Sequence, residues 1–319
     1  MIRLLFKSSL YLILILILLE GLIRFFHLTK DYPVRFIDEY GVERWVPNQD
    51  GFSVTGIRRQ NFSKFHINDF GFNSYREFKP SLEKTEIALL GNSFIEGFHQ
   101  DYYNSLGKKI ETNLPEVEVY EFGYAGYDMA DLLHLIYKYQ STFDLVDYVF
   151  LGLKFEQELT RGEYGVIQGR MKLESPLYKN LRKIKLLVYL QKNGAFDTAR
   201  RFTNKILTLG NRDNAKIKSE DYIATEKKFL QHIKNFESLI AIYGFDKKRY
   251  VLLIDKGKTP KMFINYLENK NFQYVDFSKA LSQSKKPTTL IYDRHWNNQG
   301  RNIVASVIVN YVKTKIKPD

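Results

Sequence analysis

From Glu86 onward, short apolar segments alternate with helical ones, and this alternation most constrains the fold. Strands that alternate with helices build a parallel sheet covered by helices on both faces. The sequence therefore predicts an α/β fold of three layers, α/β/α, around a parallel sheet. The predicted strands are Glu86–Leu90, Val117–Phe122, Tyr148–Leu153, Tyr250–Ile254 and Phe272–Phe277, and the predicted helices are Ser105–Leu114, Met129–Tyr139, one ending at Tyr243, Lys261–Asn269 and one from Gln299 to about Lys313.

The alternation divides the chain into regions. Residues 29–80 are aromatic and loop-rich, and we expect an N-terminal extension with short strands there, before an α/β domain over residues 81–319. Residues 160–215 interrupt the pattern and predict a helical insertion. The stretch from Arg170 to Lys218 contains thirteen basic residues and only three acidic ones. This segment is either a solvated basic face or a docking surface for anionic headgroups or an acidic glycan.

The first 28 residues predict a membrane anchor. Leu10–Leu19 is apolar throughout, and Ser8–Phe26 approaches the roughly 20 residues that a spanning helix needs. Arg3 and Lys7 in front favour a cytoplasmic N-terminus and an extracytoplasmic domain, periplasmic or at the cell surface. A cleaved signal peptide is the alternative, but Gly21 is the only small residue near a cut site. A buried soluble helix would need a polar face, which this run lacks.

The composition excludes some classes of site. The chain has no cysteine, so disulfides and thiolate metal sites are absent. A net charge of +12 favours an anionic partner such as a phospholipid surface or an acidic polysaccharide. No helix-turn-helix, zinc or RNA-binding signature accompanies the charge, so we expect no nucleic-acid partner. Neither the glycines nor the histidines have nucleotide-loop or metal-ligand spacing, so we expect no cofactor and no metal.

A serine follows the first strand of the alternating region directly. Ser93 ends the run that begins at Glu86, and Asp293 and His295 come some two hundred residues later, before the last helix. A serine hydroxyl becomes a good nucleophile when an imidazole takes its proton and a carboxylate orients that imidazole. Loops that follow parallel strands meet at one edge of the sheet, so these side chains are expected to converge there. The arrangement predicts serine-mediated acyl chemistry.

Each of these residues also has a structural interpretation. Alone, Ser93 is more typical of a turn or helix cap, and His295 beside Trp296 is as typical of a packed histidine. Their joint order along the chain is what favours catalysis.

Three short blocks stand in order along the chain: Gly91-Asn92-Ser93-Phe94, Glu121-Phe122-Gly123-Tyr124-Ala125-Gly126, and Asp293-Arg294-His295-Trp296-Asn297 with Gly300. These blocks resemble the SGNH, or GDSL-type, hydrolases, and their order and spacing agree from Glu86 to the C-terminus. The stretch Ile67–Phe72 resembles membrane-anchored bacterial members, and the anchor together with the Asp-x-His-Trp sequence resembles the alginate O-acetyltransferase-like branch.

The resemblance implies a role for each residue. Ser93 attacks an ester carbonyl, His295 acts as general base and then acid, and Asp293 orients His295. The backbone N–H groups of Ser93 and Gly123 donate to the oxyanion, and a glycine lets substrate approach the backbone closely. The residues expected to line the substrate site are Asn92, His99 and Trp296.

The chain departs from this pattern in three places. Asn92 stands where the family has Asp, a mainly structural position at which we expect tolerance. The third family block carries an Asn that donates to the oxyanion, whereas residues 152–157 contain none, so Lys154 or Gln157 would have to replace it. The Asp and His are two residues apart here and three apart in the family.

The function expected is that of a membrane-anchored serine esterase acting on an O-acetylated cell-envelope glycan or on lipid esters. Two alternatives stay open. One is an O-acyltransferase of a cell-surface polysaccharide, which uses the same serine acyl intermediate. The other is a non-catalytic glycan-binding protein with the same fold.

Overall fold

The computed structural model describes residues 1–56, 59–81, 83–197 and 220–316 of the chain. The strands in these ranges form two N-terminal hairpins and one larger sheet. The strands are β1 (Arg35–Ile37), β2 (Glu43–Trp45), β3 (Asp50–Thr55), β4 (Asn61–His66), β5 (Thr85–Gly91), β6 (Val117–Gly123), β7 (Tyr148–Leu153), β8 (Tyr250–Ile254) and β9 (Gln273–Asp276).

The larger sheet is parallel, with strand order β6-β5-β7-β8-β9. Gly91 and Gly123 are partners in the register, so β5 and β6 end at the same level. Successive side chains point to opposite faces, and Leu90 lies in one apolar cluster while Leu89 lies in the other. The structure thus confirms the predicted fold class, and each predicted strand boundary is within one residue of the observed one.

Helices cover both faces of this sheet. The helices are α1 (Ile2–Phe25), α2 (Ser93–Glu96), α3 (Leu106–Asn113), α4 (Met129–Lys138), α5 (Gln140–Phe143), α6 (Phe155–Glu158), α7 (Gln168–Met171), α8 (Pro176–Lys183), α9 (Lys185–Lys192), α10 (Glu220–Tyr243), α11 (Lys261–Asn269), α12 (Ser278–Ser282) and α13 (Asn298–Ile316), with 3₁₀ turns at Tyr102–Asn104, Lys172–Glu174 and Lys256–Lys258.

Two apolar clusters hold the three layers together. One joins a face of the sheet to α3 and α13, through buried residues such as Ile110 and Ile308. The other joins the opposite face to α4, α10 and α11, through Leu133, Phe236 and Phe263. Burying aliphatic and aromatic side chains in this way is the main force that stabilises such layers.

The N-terminal extension packs onto the second of these clusters. Its hairpins pair β1 with β2 and β3 with β4, both antiparallel. Trp45 is buried and lies 4.6 Å from the Tyr124 ring, measured between ring centroids. Phe78 lies equally close to Phe122 of β6. The extension therefore shares its core with the sheet.

By length and composition, α1 can cross a membrane. Its apolar side chains are exposed along most of the helix; Leu12, for example, is 57% exposed. Near its end, Arg24 Nε donates to Glu20 Oε1 at 2.7 Å. The helix ends at Phe25, within the span predicted from the sequence.

The interrupting segment at residues 160–215 contains α7, α8 and α9, and its part from residue 198 onward lies outside the described residues. One of its basic residues is not part of a solvated face. Arg170 pairs with the buried carboxylates of Glu43 at 2.9 Å and Asp131 at 3.2 Å. This guanidinium attaches the segment to the core. Part of the positive charge counted from the sequence is therefore neutralised in buried ion pairs and is not exposed to solvent.

Candidate active site

Ser93 is the first residue of α2 and follows directly on β5. Asn92 caps this helix, because its Oδ1 accepts a hydrogen bond of 2.9 Å from the Phe94 backbone N–H. Gly97 ends the helix after one turn in the left-handed region, at φ +67°. Ser93 therefore lies at the carboxyl edge of the sheet, where the site of a parallel sheet is expected.

Gly123 lies where α2 crosses the end of β6. A Cβ at this position would overlap the backbone of Ile95 and Glu96, so only glycine allows the helix to approach the strand this closely. The sequence suggested that this glycine leaves room for substrate, and the structure supplies a packing reason instead. The predicted donation of its N–H to an oxyanion stays a prediction.

The serine meets the predicted histidine. Ser93 Oγ and His295 Nε2 are 2.8 Å apart, although 202 positions separate the two residues. Behind the histidine, Asp293 Oδ1 lies 3.1 Å from His295 Nδ1 and accepts a 3.0 Å hydrogen bond from the His295 backbone N–H. This Nδ1 contact is within ion-pair distance, but it lacks hydrogen-bond geometry. The buried Nδ1 atom therefore has no hydrogen-bond partner among the described residues. Arg294, between the two, has a left-handed backbone at φ +62°.

A second histidine completes the cluster. His99 Nε2 lies 2.8 Å from Asp293 Oδ2, and the His99 ring stacks on the His295 ring at 3.9 Å between centroids. Its loop is fixed by β4, since Asn61 Nδ2 donates to the His99 carbonyl at 2.7 Å. Sequence reasoning placed His99 only as a residue lining the substrate site, because its sole signal was its position soon after Ser93.

The charges of this cluster follow from its contacts. Burial would raise the pKa of Asp293, but the close His295 and His99 rings and the hydrogen bond from the His295 backbone N–H bring this pKa well below its usual range. Burial lowers the pKa of His99, and the bond to Asp293 only partly opposes this. At neutral pH the cluster therefore holds an ionised carboxylate and a neutral His99.

The same three side chains are spaced for metal ligation. Ligand atoms of His99, Asp293 and His295 all lie within 4.8 Å of one another. Two imidazoles and a carboxylate suit zinc and similar divalent ions. In the structure, however, these atoms contact one another and Ser93 in the order that proton transfer needs.

The region of the missing family Asn is organised by a buried acid. Glu158 Oε2 accepts the Lys154 backbone N–H at 2.9 Å, and Glu158 Oε1 accepts from Asn92 Nδ2. Burial raises the pKa of Glu158 to about 7, against these two donors. Asn92 was expected to line the substrate site; it borders the cleft, but its side chain braces the turn with both polar atoms.

A second buried acid lies on the other side of the nucleophile. Glu96 Oε1 accepts from Trp45 Nε1 at 3.0 Å, and burial raises the pKa of Glu96 to about 7. Neither Glu96 nor Glu158 was singled out from the sequence, since an isolated glutamate near a strand end carries no local signal of burial.

A cleft of about 1280 Å³ adjoins the cluster. The two predicted oxyanion donors both border it: Lys154, whose Nζ lies 3.8 Å above the Phe94 ring, and Gln157, which is exposed. Burial lowers the pKa of Lys154, despite the nearby Glu158. Trp296, expected to line the substrate site, borders the cleft; it is 8% exposed and packs edge-on against Phe94 at 4.9 Å.

No protein-family model and no curated protein matches the chain. Solved structures of similar fold include a lipase/acylhydrolase from Enterococcus faecalis, with 15% identity, 73% of this chain and 98% of the other covered, and a TM-score of 0.40. A lipolytic protein of the G-D-S-L family from Veillonella parvula DSM 2008 has 14% identity, coverage of 70% and 96%, and a TM-score of 0.37. An acetylxylan esterase from Geobacillus stearothermophilus, a catalytic mutant, has 13% identity, coverage of 73% and 96%, and a TM-score of 0.33. At these similarities, the chemistry of this chain has to be judged from its own residues.

Proposed function

We propose that this chain is a membrane-anchored serine esterase that uses Ser93, His295 and Asp293. The observation that carries the proposal is the 2.8 Å contact between Ser93 Oγ and His295 Nε2 at the carboxyl edge of the sheet, with an ionised Asp293 behind the imidazole. This is the arrangement that converts a serine hydroxyl into a nucleophile near neutral pH.

The reaction follows from these positions. Ser93 Oγ attacks the carbonyl carbon of an ester while His295 Nε2 takes the hydroxyl proton, and Asp293 stabilises the imidazolium. The tetrahedral intermediate collapses when His295 gives this proton to the leaving alcohol, which leaves an acyl group on Ser93. Water then attacks the acyl-enzyme with His295 as base, and His295 returns the proton to Ser93 Oγ as the bond to the acyl carbon breaks and the carboxylic acid departs. The N–H groups of Ser93 and Gly123 are the proposed donors to the oxyanion.

The proposed substrates are O-acetylated cell-envelope glycans or lipid esters. An anchor of the length of α1 would keep the domain beside the envelope. The cleft next to the cluster is large enough for several sugar units or an acyl chain, since ligand sites commonly measure about 300–1,000 Å³. The net charge of +12 favours substrates or surfaces that carry negative charge.

Labelling with a fluorophosphonate probe tests the nucleophile. We expect the wild-type chain to be labelled at Ser93, as located by peptide mass spectrometry, and to hydrolyse a p-nitrophenyl acyl ester. Ser93→Ala should lose both label and turnover, whereas Ser306→Ala, which alters an exposed serine on α13, should retain them. Turnover that survives Ser93→Ala would disprove the mechanism.

Acyl transfer to a sugar hydroxyl is the second candidate. The cleft that favours it is bordered by Asn92 and Phe94, the chain neighbours of Ser93, and its volume would hold an acceptor as well as the acyl group. The two reactions share the acyl-enzyme and differ in which nucleophile reaches it. Product analysis with water and an added oligosaccharide in competition separates them, because a transferase yields acylated sugar in excess over free acid.

Whether another side chain replaces the missing third oxyanion donor distinguishes an enzyme from a binding protein. Lys154 is half-buried over Phe94, whereas Gln157 is exposed, so Lys154 is the better-placed substitute. We expect Lys154→Met to lower kcat/KM by about 10²-fold and Gln157→Ala to have little effect. A slow wild type that neither substitution changes would favour glycan binding without catalysis.

A further inference from the structure

The end of α1 is attached to a helix far away in the sequence. The Glu20 carboxylate accepts the backbone N–H groups of Lys185 at 3.0 Å and Leu186 at 2.6 Å, and so caps the start of α9. The first turn of a helix has unpaired N–H groups and partial positive charge, which a carboxylate satisfies. Arg24 pairs with Glu20 and also donates to the Lys183 carbonyl. The junction of α8 and α9 is thereby held at the level of Glu20 on α1.

Further contacts keep α9 in this place. Lys185 Nζ binds Asp31 Oδ1 at 2.6 Å, just beyond the end of α1. At the other end of α9, Lys192 Nζ donates to the Val54 carbonyl at 2.7 Å. Val188, between these two lysines, is buried. The helix is therefore a fixed part of the domain next to α1.

The neighbouring helix α8 exposes an apolar row. Leu177 and Leu181 are four residues apart, which places them on one face of α8, and Ile184 directly follows the last residue of the helix. Their exposed fractions are 67%, 37% and 49%, and Tyr178 beside them is 48% exposed. Water-facing aliphatic side chains in such a row indicate a surface that another apolar phase covers.

The charged residues of α8 and α9 themselves are all basic. Residues 176–192 contain five basic residues and no acidic one. Lys179 and Arg182 each lie 3.6 Å from Glu174, outside this segment. An apolar row flanked by lysines is typical of helices that lie in the headgroup region of a membrane with anionic lipids.

We propose that α8 and the adjoining Ile184 form a membrane-docking face, through Leu177, Tyr178, Leu181 and Ile184 with Lys179 and Lys183, and that its partner is an anionic phospholipid surface. The inference rests on the proposed anchoring by α1. Because Glu20 and Arg24 tie the α8–α9 junction to the end of α1, a spanning α1 brings this face to the bilayer surface. A second contact beside the anchor would set the orientation of the catalytic domain over the membrane.

Single-cysteine variants test the docking face without background labelling, because the chain has no cysteine. The full chain is reconstituted in liposomes of phosphatidylglycerol and phosphatidylcholine, and Leu177→Cys or Leu181→Cys is labelled with bimane. Doxyl-labelled phosphatidylcholine then quenches any bimane in contact with lipid. Ile13→Cys in α1 reports the anchor, and Leu230→Cys, 47% exposed on α10, is the control that should stay unquenched.

We expect quenching at Leu177→Cys and Leu181→Cys to be several-fold stronger than at Leu230→Cys and comparable with Ile13→Cys. Quenching at Ile13→Cys alone would overturn the docking face and leave the anchor intact. No quenching at Ile13→Cys would overturn both. A bimane at Leu177→Cys that is shielded from water yet not quenched would show that a second copy or another protein covers α8, which also overturns the proposal.

The lipid charge is tested separately. Replacing phosphatidylglycerol with phosphatidylcholine should weaken the quenching at Leu177→Cys at least two-fold, and adding Lys179→Gln with Lys183→Gln should reproduce this loss in the anionic liposomes. Turnover of a soluble ester should not change, since both lysines lie outside the catalytic cluster. Equal quenching in the two compositions would overturn the choice of anionic headgroups.

Discussion

The two halves of the catalytic cluster are held in different ways. Residues 92–96, which we call the nucleophile turn, are built into the end of β5 and pressed against β6 at Gly123. Residues 293–297, the acid–base loop, lie between α12 and α13 and include a left-handed Arg294. The loop is held by hydrogen bonds to the segment before it, such as the 2.8 Å hydrogen bond from the Leu290 N–H to the His295 carbonyl, and by the buried Trp296.

This difference predicts that substitutions in the two segments have different main effects, on stability in one and on the reaction in the other. Apart from changes to Ser93 itself, changes to the nucleophile turn disturb the packing of a helix on a buried strand, so we expect their cost to fall on stability. Changes to Asp293 or His295 in the acid–base loop leave the buried Trp296 in place, and we expect them to act on proton transfer. The predictions below test this division, in order of decreasing effect.

The largest effect should come from His295→Ala. It removes the proposed base for Ser93, and we expect kcat to fall by about 10⁴-fold or more, with an unchanged melting temperature. Ester hydrolysis and thermal unfolding are measured on the same samples. His66→Ala, which alters a histidine paired with Asp50 at the surface, is the control. A loss below ten-fold, or a large fall in Tm, would contradict the division.

Gly123→Ala should instead destabilise the protein. The added methyl group would overlap the backbone of Ile95 and Glu96, and backbone cannot move aside as a flexible side chain can. We expect a loss of about 3 kcal/mol or more in the free energy of unfolding, measured with urea. Gly165→Ala is the matched control, because no atom lies within 4 Å of a Cβ there. Equal stability of the two variants would refute the packing role.

Asn92→Asp reverses an expectation from the sequence, which predicted tolerance. Asn92 Nδ2 donates to Glu158, so an aspartate would oppose a buried carboxylate whose pKa is already about 7. One acid of the pair would hold a proton, with a folded pKa raised above its unfolded value.

The stability of the Asn92→Asp variant should therefore be retained near pH 4–5 and fall as the pH rises through about 7. We expect a deficit of about 1–3 kcal/mol against wild type at pH 8 and a smaller one at pH 5, from urea unfolding at both. Asn310→Asp, on the exposed side of α13, should show no such pH dependence. A deficit that does not grow with pH would argue against the contact with Glu158.

The smallest effect should come from His99, a positioning residue. His99→Phe keeps a ring to stack on His295 but removes the N–H that binds Asp293, whereas His99→Gln keeps an N–H donor and loses the stack. We expect about a ten-fold loss of kcat in His99→Phe with KM unchanged, and partial recovery in His99→Gln. The pH dependence of kcat should shift in His99→Phe. Identical profiles in both variants would leave only a packing role.

Local patterns were sufficient for much of the fold. Each strand of the parallel sheet is a short apolar run, and Tyr148–Leu153 and Tyr250–Ile254 begin and end where the sequence predicted. Asn297 precedes the last helix and caps it, since its Oδ1 accepts the Gly300 N–H at 2.9 Å. Such features depend on neighbours within a few residues, so periodicity and capping rules describe them.

The sequence by itself therefore determined the layer architecture and the order of Ser93, Asp293 and His295, because strand and helix periods and turn residues are local properties. Only the tertiary structure decided that His99 contacts Asp293 and that Glu158 accepts a hydrogen bond from Asn92. It also decided that α2 packs on Gly123 and that Glu20 caps α9. These contacts join segments from 27 to 194 positions apart, and they exist because sheet register and helix packing bring the segments together. Hydrophobic periodicity and capping patterns involve residues that are close in the sequence, so they cannot predict contacts between segments this far apart.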